Sequence, residues 1–228
     1  KIKMGRKRIS REKIINAFLF SSFDKSAGAT SLQDISDVLQ IKKASLYNHF
    51  SSRDEMYFAT LEYCRENLNA LNFIPDEIRL SGKLGQESLS LTLKKILKRY
   101  INLYETEPLF QIYSFINSEK FFNSLASKIA DKEYEKIYFG VEEIFKILIK
   151  NEKCRKLSSS ELKYCVNAIS SIIKTQTDLE LTQKKEIVRQ NPECGVGSLF
   201  ALPTDDATLN LIIKTVENFS KILNLENL

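Results

Sequence analysis

The stretch Thr30 to Glu55, TSLQDISDVLQIKKASLYNHFSSRDE, restricts the fold of this chain more than any other. Leu32, Ile35, Val38 and Leu39 recur at helical spacing, and Ile41, Leu46 and Phe50 resume on a new phase after a break of a few residues. Two short helices joined by a tight turn satisfy that pattern. Thr30 with Gln33 three residues on reads as a capping box, and Ser52 with Glu55 repeats it at a third helix. Each such cap contributes about 1 kcal/mol. Ile41 lies where the backbone reverses and is expected to pin the turn to the core. The second helix, from Lys43 to Phe50, is too short to stand alone, so Leu46 and Phe50 must face inward.

Its outward residues are then Lys43, Ser45, Tyr47, Asn48 and His49, a mix that suits a helix end in the DNA major groove. Lys, Ser, Tyr and His reach phosphates, while Asn and Lys read base edges. The run Ile35 to Phe50, followed by Ser51-Ser52-Arg53-Asp54-Glu55, closely resembles the DNA-binding head of the tetracycline-repressor-like (TetR) regulators. Leu46-Tyr47-x-His49-Phe50 and Arg53 carry most of the resemblance, which is firm over residues 10 to 60 and holds only in outline beyond. One departure is Gln40, which stands where such heads usually have a turn glycine. That position requires a left-handed backbone, which a non-glycine residue adopts at some cost.

By resemblance and position the DNA-contacting set is Ser31, Gln33, Lys42, Lys43, Ala44, Ser45, Tyr47, Asn48, His49 and Arg53. Within it Ser31, Tyr47, His49 and Arg53 are expected mainly on phosphates, and Gln33, Lys43, Ala44 and Asn48 toward bases. The resemblance also implies a double-stranded DNA operator and a homodimer paired through the last two long helices, about 159–181 and 205–224.

Charge distribution agrees with a DNA-binding head. The first 65 residues hold twelve of the 34 Lys/Arg and seven of the 29 Asp/Glu, leaving 22 of each in the rest. The whole net charge of +5 therefore sits in the head, as expected for a polyanion-binding module on a neutral body. Arg6-Lys7-Arg8 forms either a basic arm along the DNA or a solvated tail. Seven glycines and four prolines in 228 residues favour an all-α protein. The four cysteines, Cys64, Cys154, Cys165 and Cys194, have no C-x-x-C pairing, and His49 is the only histidine, so no metal site or disulfide framework is expected. No uncharged apolar run of spanning length occurs, and the reading is a reduced, cytoplasmic protein with no membrane partner.

In chain order, Ser10 caps a first helix with the stripe Ile14, Ile15, Phe18, Leu19 and Phe23, ending between Asp24 and Ala29. A connector helix runs from Arg53 to about Leu71. The segment Asn72–Gly85 reads as the joint that transmits movement. The expected division is a head with basic arm over 1–52, a connector over 53–72, and a helical ligand-binding and dimerisation domain over 73–228. The spacing places body helices at about 86–105, 108–117, 119–129 and 131–151. Their aromatics either fill a core or enclose a ligand cavity, with Tyr100, Tyr104, Phe110, Tyr113, Phe121, Phe122 and Tyr138 as its candidate lining. Further helices run from Ser158–Ser160 to about Leu181 and from Thr204 through Leu223; between them, Thr182–Pro203 reads as a partly helical insertion. Val196, Leu199, Phe200 and Leu202 of that insertion are expected to pack on the body or on a partner subunit.

No phosphate-cradling G-x-x-x-x-G-K run, no G-x-S-x-G elbow and no acid–base pair is present, so the sequence nominates no enzyme and no cofactor. The leading expectation is a sequence-specific regulator, most simply a repressor released from a palindromic operator by a small apolar or aromatic effector. The alternative keeps the head and makes the body a docking platform for another protein. A closed aromatic cavity would favour the first, a large exposed apolar patch the second.

Overall fold

A computed structural model describes residues 9–82, 84–190 and 206–225; the basic arm and most of the insertion lie outside them. The described residues form α-helices and one 3-10 helix, with no strand. The order is α1 (Arg11–Phe23), α2 (Leu32–Leu39), a 3-10 recognition helix (Lys43–Asn48), α3 (Arg53–Asn69), α4 (Asp76–Leu80), α5 (Leu89–Tyr104), α6 (Leu109–Glu119), α7 (Ser124–Lys150), α8 (Ser159–Gln190) and α9 (Ala207–Ile222).

In the head, Ser10 caps α1 through the Lys13 amide, and Ile14, Phe18, Leu19 and Phe23 are buried as the stripe predicts. The capping box of α2 sits one residue later than expected. Ser31, not Thr30, receives the N3 amide, and Asp34, not Gln33, answers to the Ser31 backbone. Thr30 instead turns inward, 1% exposed, with its hydroxyl donating to the Ser26 carbonyl. Gln40 adopts φ 53° and ψ 45°, the left-handed turn expected of it, and its N–H reaches back to the Ser36 and Asp37 carbonyls. The recognition helix is a 3-10 helix ending at Asn48, with Leu46 and Phe50 buried.

The body differs from expectation where helices continue through weak breaks. Residues 119–129 and 131–151 are not two helices: α7 runs unbroken from Ser124 to Lys150, since nothing around Ala130 breaks its apolar period. The real break is Lys120–Asn123, with Asn123 capping α7. The helix expected to stop near Leu181 continues to Gln190, absorbing the first part of the supposed insertion. Val196, Leu199, Phe200 and Leu202 lie outside the described residues.

The joint is docked rather than loose. Phe73 and Ile74 are buried, and Phe73 packs the edge of its ring against Gly140 of α7, where any Cβ would collide with it. Arg79 of α4 makes two hydrogen bonds to the Glu143 carboxylate of α7, at 3.0 and 2.9 Å.

Head and body meet along α6. Phe18 stacks edge-on with Phe115 at 6.1 Å, Phe23 with Phe110 at 5.3 Å, and Tyr57 of α3 donates to Glu119 at 2.9 Å. Burial and that carboxylate push the Tyr57 hydroxyl far above its ordinary pKa, so it remains a proton donor.

Candidate nucleic-acid interface

One arginine fastens the end of the recognition helix, and a second fastens the loop before α2. Arg11 of α1 reaches the His49 carbonyl, lies 4.0 Å above the Phe50 ring, and pairs with Glu55 at 2.9 Å. Ser52 receives the Glu55 amide as the expected box requires, but the Glu55 carboxylate accepts from the Ser51 amide at 2.6 Å and the Ser51 hydroxyl at 2.7 Å rather than from Ser52, so the box is half formed. Those hydrogen bonds, the Ser51 amide first and Arg11 after both Ser51 groups, hold the Glu55 carboxyl down to about 2. Asp34 is likewise held to about 2, by Lys25 first and then by Ser31. Each carboxylate thus ties a helix start to a cation on another segment.

Arg53 departs from its expected role. Its guanidinium is turned back onto the α1–α2 loop, donating to the carbonyls of Thr30 at 3.0 Å and of Ala27, and lying over the Phe18 ring. Nε and one terminal nitrogen are thus engaged with that loop, which makes Arg53 a support for the start of α2.

The remaining residues of the expected set divide by exposure. Lys42, Lys43, Ala44, Tyr47 and Asn48 are exposed, Tyr47 at 53%, and they share one surface around the recognition helix. Ser45 and His49 are half-buried beside them. Ser31 is occupied as the cap of α2, and Gln33 donates to Asp37 at 2.7 Å on the exposed side of that helix. Arg11 and Asp34 are the two positions the sequence reading missed. Asp34 was findable, because Ser31-x-x-Asp34 is itself a capping-box spacing. Arg11 carries no local signal, since its partners lie 38 to 44 residues away.

The aromatic set does not form one cavity. Tyr100, Tyr104 and Phe110 are buried in a filled core, Tyr104 packing edge-on against Tyr100 and Tyr113. Tyr113 and Tyr138 are half-buried. Phe121 and Phe122 stand 79% and 86% exposed on the α6–α7 turn, which carries them away from the core, so among the described residues they line no cavity with the other rings. The interior is instead unexpectedly polar. Tyr104 donates to Glu133, which also pairs with Lys136; Lys174 contacts Asp178 and lies 3.3 Å from the Tyr113 hydroxyl. Burial works against both charges of the latter pair, raising Asp178 to about 7 and lowering Lys174 to about 8. On the inner face of α8 the row Ser170, Thr177, Lys184 repeats every seven residues. Lys184 pairs with Glu105 and Glu180, whereas the hydroxyls of Ser170 and Thr177 and Oε2 of Glu180 are buried without a partner.

A basic, exposed 3-10 helix held at its end by Arg11 on a three-helix head, ahead of a helical body, has the geometry of a helix-turn-helix head. Residues 23–60 match the family described as bacterial regulatory proteins, tetR family. The chain is 39% identical over 54 residues to the biofilm operon icaADBC negative transcriptional regulator IcaR of Staphylococcus epidermidis, covering 24% of this chain and 29% of that protein. Against IcaR of Staphylococcus aureus strain Newman it is 37% identical over 95 residues, 41% of this chain and 51% of that one. The chain thus spans about half or less of these relatives' length. The whole fold is shared with a TetR transcription regulator of Haloarcula marismortui at a TM-score of 0.54 and 13% identity, covering 93% and 96% of the two chains. It is also shared with a protein of Saccharomonospora viridis described as a transcriptional regulator in complex with choline, at 0.54 and 12%, covering 96% and 98%. The head thus matches the tetR family over residues 23–60, and the fold of the whole is that of the solved tetR regulators. Among the described residues no helix is long and apolar enough to cross a membrane.

Proposed function

We propose that the protein is a dimeric repressor whose two heads enter successive major grooves of a palindromic operator, and that a small molecule bound in the body releases it. The observation that carries this reading is the exposed Lys42, Lys43, Tyr47 and Asn48 surface on a recognition helix whose end is held by Arg11. Tyr47 and His49 hold phosphates, Lys43, Ala44 and Asn48 face bases, and Ser31, Gln33 and Ser45 flank them. Two such surfaces about 34–36 Å apart fit one turn of B-DNA.

The dimer is supported by apolar side chains left exposed on the last two helices. Tyr164 and Leu179 on α8 share one stripe, as do Leu211 and Ile222 on α9, at 72%, 52%, 50% and 78% exposure. A partner's matching pair closes a four-helix interface of the kind that covers such stripes. The effector reading rests on the unpartnered polar atoms of the α8 inner face, which a ligand carrying both a ring and hydrogen-bonding groups would satisfy as the core opens around it. It acts only through its different affinity for the two head spacings. The reading in which the body docks a protein is favoured by one observation, the exposed Phe121–Phe122 pair.

Selection of duplexes from a random pool by the purified protein, read against salt, tests the proposal. A palindrome recovered by the protein and lost with Tyr47→Ala is expected; sequence-independent binding alone would overturn it.

A further inference from the structure

A cleft of about 530 Å³ opens between the head and the body, away from the α8 interior. Phe20 of α1 and Val38 and Leu39 of α2 form its head wall; Pro108 and Gln111 of the α6 start form its body wall. Leu39 and Phe20 are half-buried and Val38 is 43% exposed, so the head wall is an accessible apolar surface. Gln111 is only 6% exposed, and its side-chain carbonyl oxygen has no hydrogen-bond partner. The charges at the rim are Glu12, Lys13 and Glu107, all exposed, a net of one negative charge. Tyr63 of α3 adds a ring and a hydroxyl at the inner end.

An apolar wall, an unsatisfied acceptor and an acidic rim together select one kind of molecule. The geometry points to a ligand site at the head–body cleft for a protonated amine on a ring or short apolar body. The ring lies against Phe20, Val38 and Leu39, and the ammonium donates toward the acceptors of Gln111, Glu12 and Glu107. Hydrocarbon alone leaves the Gln111 oxygen unpaired, and an anion meets the two carboxylates. Because the two walls belong to the head and to α6, a molecule filling the cleft holds the present angle between them. The site is independent of whether the body interior takes an effector.

The test compares 2-naphthylmethylamine with 2-naphthylmethanol, which share a ring and differ in the charged donor. Binding to the full chain is followed by titration with NMR detection. The amine is expected to bind the wild-type protein at least about fivefold more tightly than the alcohol, an advantage due to the carboxylates. Glu12→Gln with Glu107→Gln, both on exposed side chains, removes that advantage, and Val38→Trp, which fills the cleft, abolishes binding of both probes. Equal affinity for amine and alcohol, no binding of either at millimolar concentration, or amine binding that survives Val38→Trp overturns the assignment. The last result would place the amine in the body interior, a failure distinct from that of the repressor reading.

Discussion

Replacing Arg53 by alanine separates the two roles open to this side chain. The sequence pattern puts Arg53 on a phosphate, whereas the structure turns it onto the Ala27 and Thr30 carbonyls. The Ala27 oxygen keeps a second donor, the Thr30 amide at 3.2 Å, but the Thr30 oxygen loses the arginine that satisfies it. A hydrogen bond from a charged donor contributes about 1.5–3 kcal/mol net, and these are only part-buried, so the pair is placed near the low end at about 2–3 kcal/mol in all. That corresponds to a loss of about 30- to 150-fold in the folding equilibrium. With a urea dependence of about 2–3 kcal/mol per molar for a chain of this size, the unfolding midpoint should fall by about 1 M. Circular dichroism in urea gives the midpoint, and operator affinity against salt gives the number of phosphates held. Arg53→Ala should lower the midpoint and leave the salt slope of the folded protein unchanged, while Lys42→Ala should reduce the slope by about 0.9 with the midpoint intact. If Arg53→Ala instead flattened the slope by that amount without changing the midpoint, the clamp described above would be wrong.

Gln40→Gly should raise stability by about 0.5 kcal/mol in thermal melts, because glycine relieves the left-handed turn at φ 53° and loses part of that gain to its freer unfolded chain. Gly140→Ala should lower it by about 1–3 kcal/mol, since the added methyl collides with the Phe73 ring, and protease cutting near Ile74 should accelerate. Acid should loosen the head: Asp34 and Glu55 are held down to about 2 when folded, below their ordinary 3.8 and 4.5, so the stability they contribute is complete above about pH 5 and is lost as the pH falls toward 2. Amide exchange measured between pH 5 and 3 in wild type and in Asp34→Asn with Glu55→Gln should show the dependence in the first and a weaker one in the second.

Legibility in the sequence follows the range of the interactions. Periodicity located α1, α2, the recognition helix and α3 because their apolar residues repeat within a few positions, and the left-handed Gln40 was readable because the heads this one resembles usually have a turn glycine there. The Thr30 cap was misplaced by one residue because Thr30 and Ser31 are both good caps; burial decided between them. The false break near Ala130 came from treating a dip in hydrophobicity as a stop, although no glycine or proline stands there. Arg53 was read outward because a local pattern cannot tell an arginine facing phosphate from one facing a carbonyl 23 residues earlier. Phe121 and Phe122 were read as cavity lining for a related reason: ring content reports that space is filled, not whether rings face inward, and these two face out. Nothing local announced the polar row of α8, since Ser170, Thr177 and Lys184 look like solvent residues until the neighbouring helices cover them.

That row and the head are connected through one helix. Lys174 of α8 touches Tyr113 of α6, Lys185 of α8 donates to Ser114 of α6 at 2.6 Å and lies 4.8 Å from the Phe23 ring of α1. On its other side α6 holds the head through Phe115 and Phe110 and holds α3 through Glu119. The joint at 72–85, by contrast, is fixed to α7 by Phe73 in the Gly140 notch and by Arg79 on Glu143, and moving it would break both. Under the proposed effector reading, a ligand that separated α8 from α6 would reach the head through α6 without breaking the contacts that fix the joint. The same logic explains why a cleft at the start of α6 matters: it lies where the helix that would carry the movement meets the helix-turn-helix that receives it.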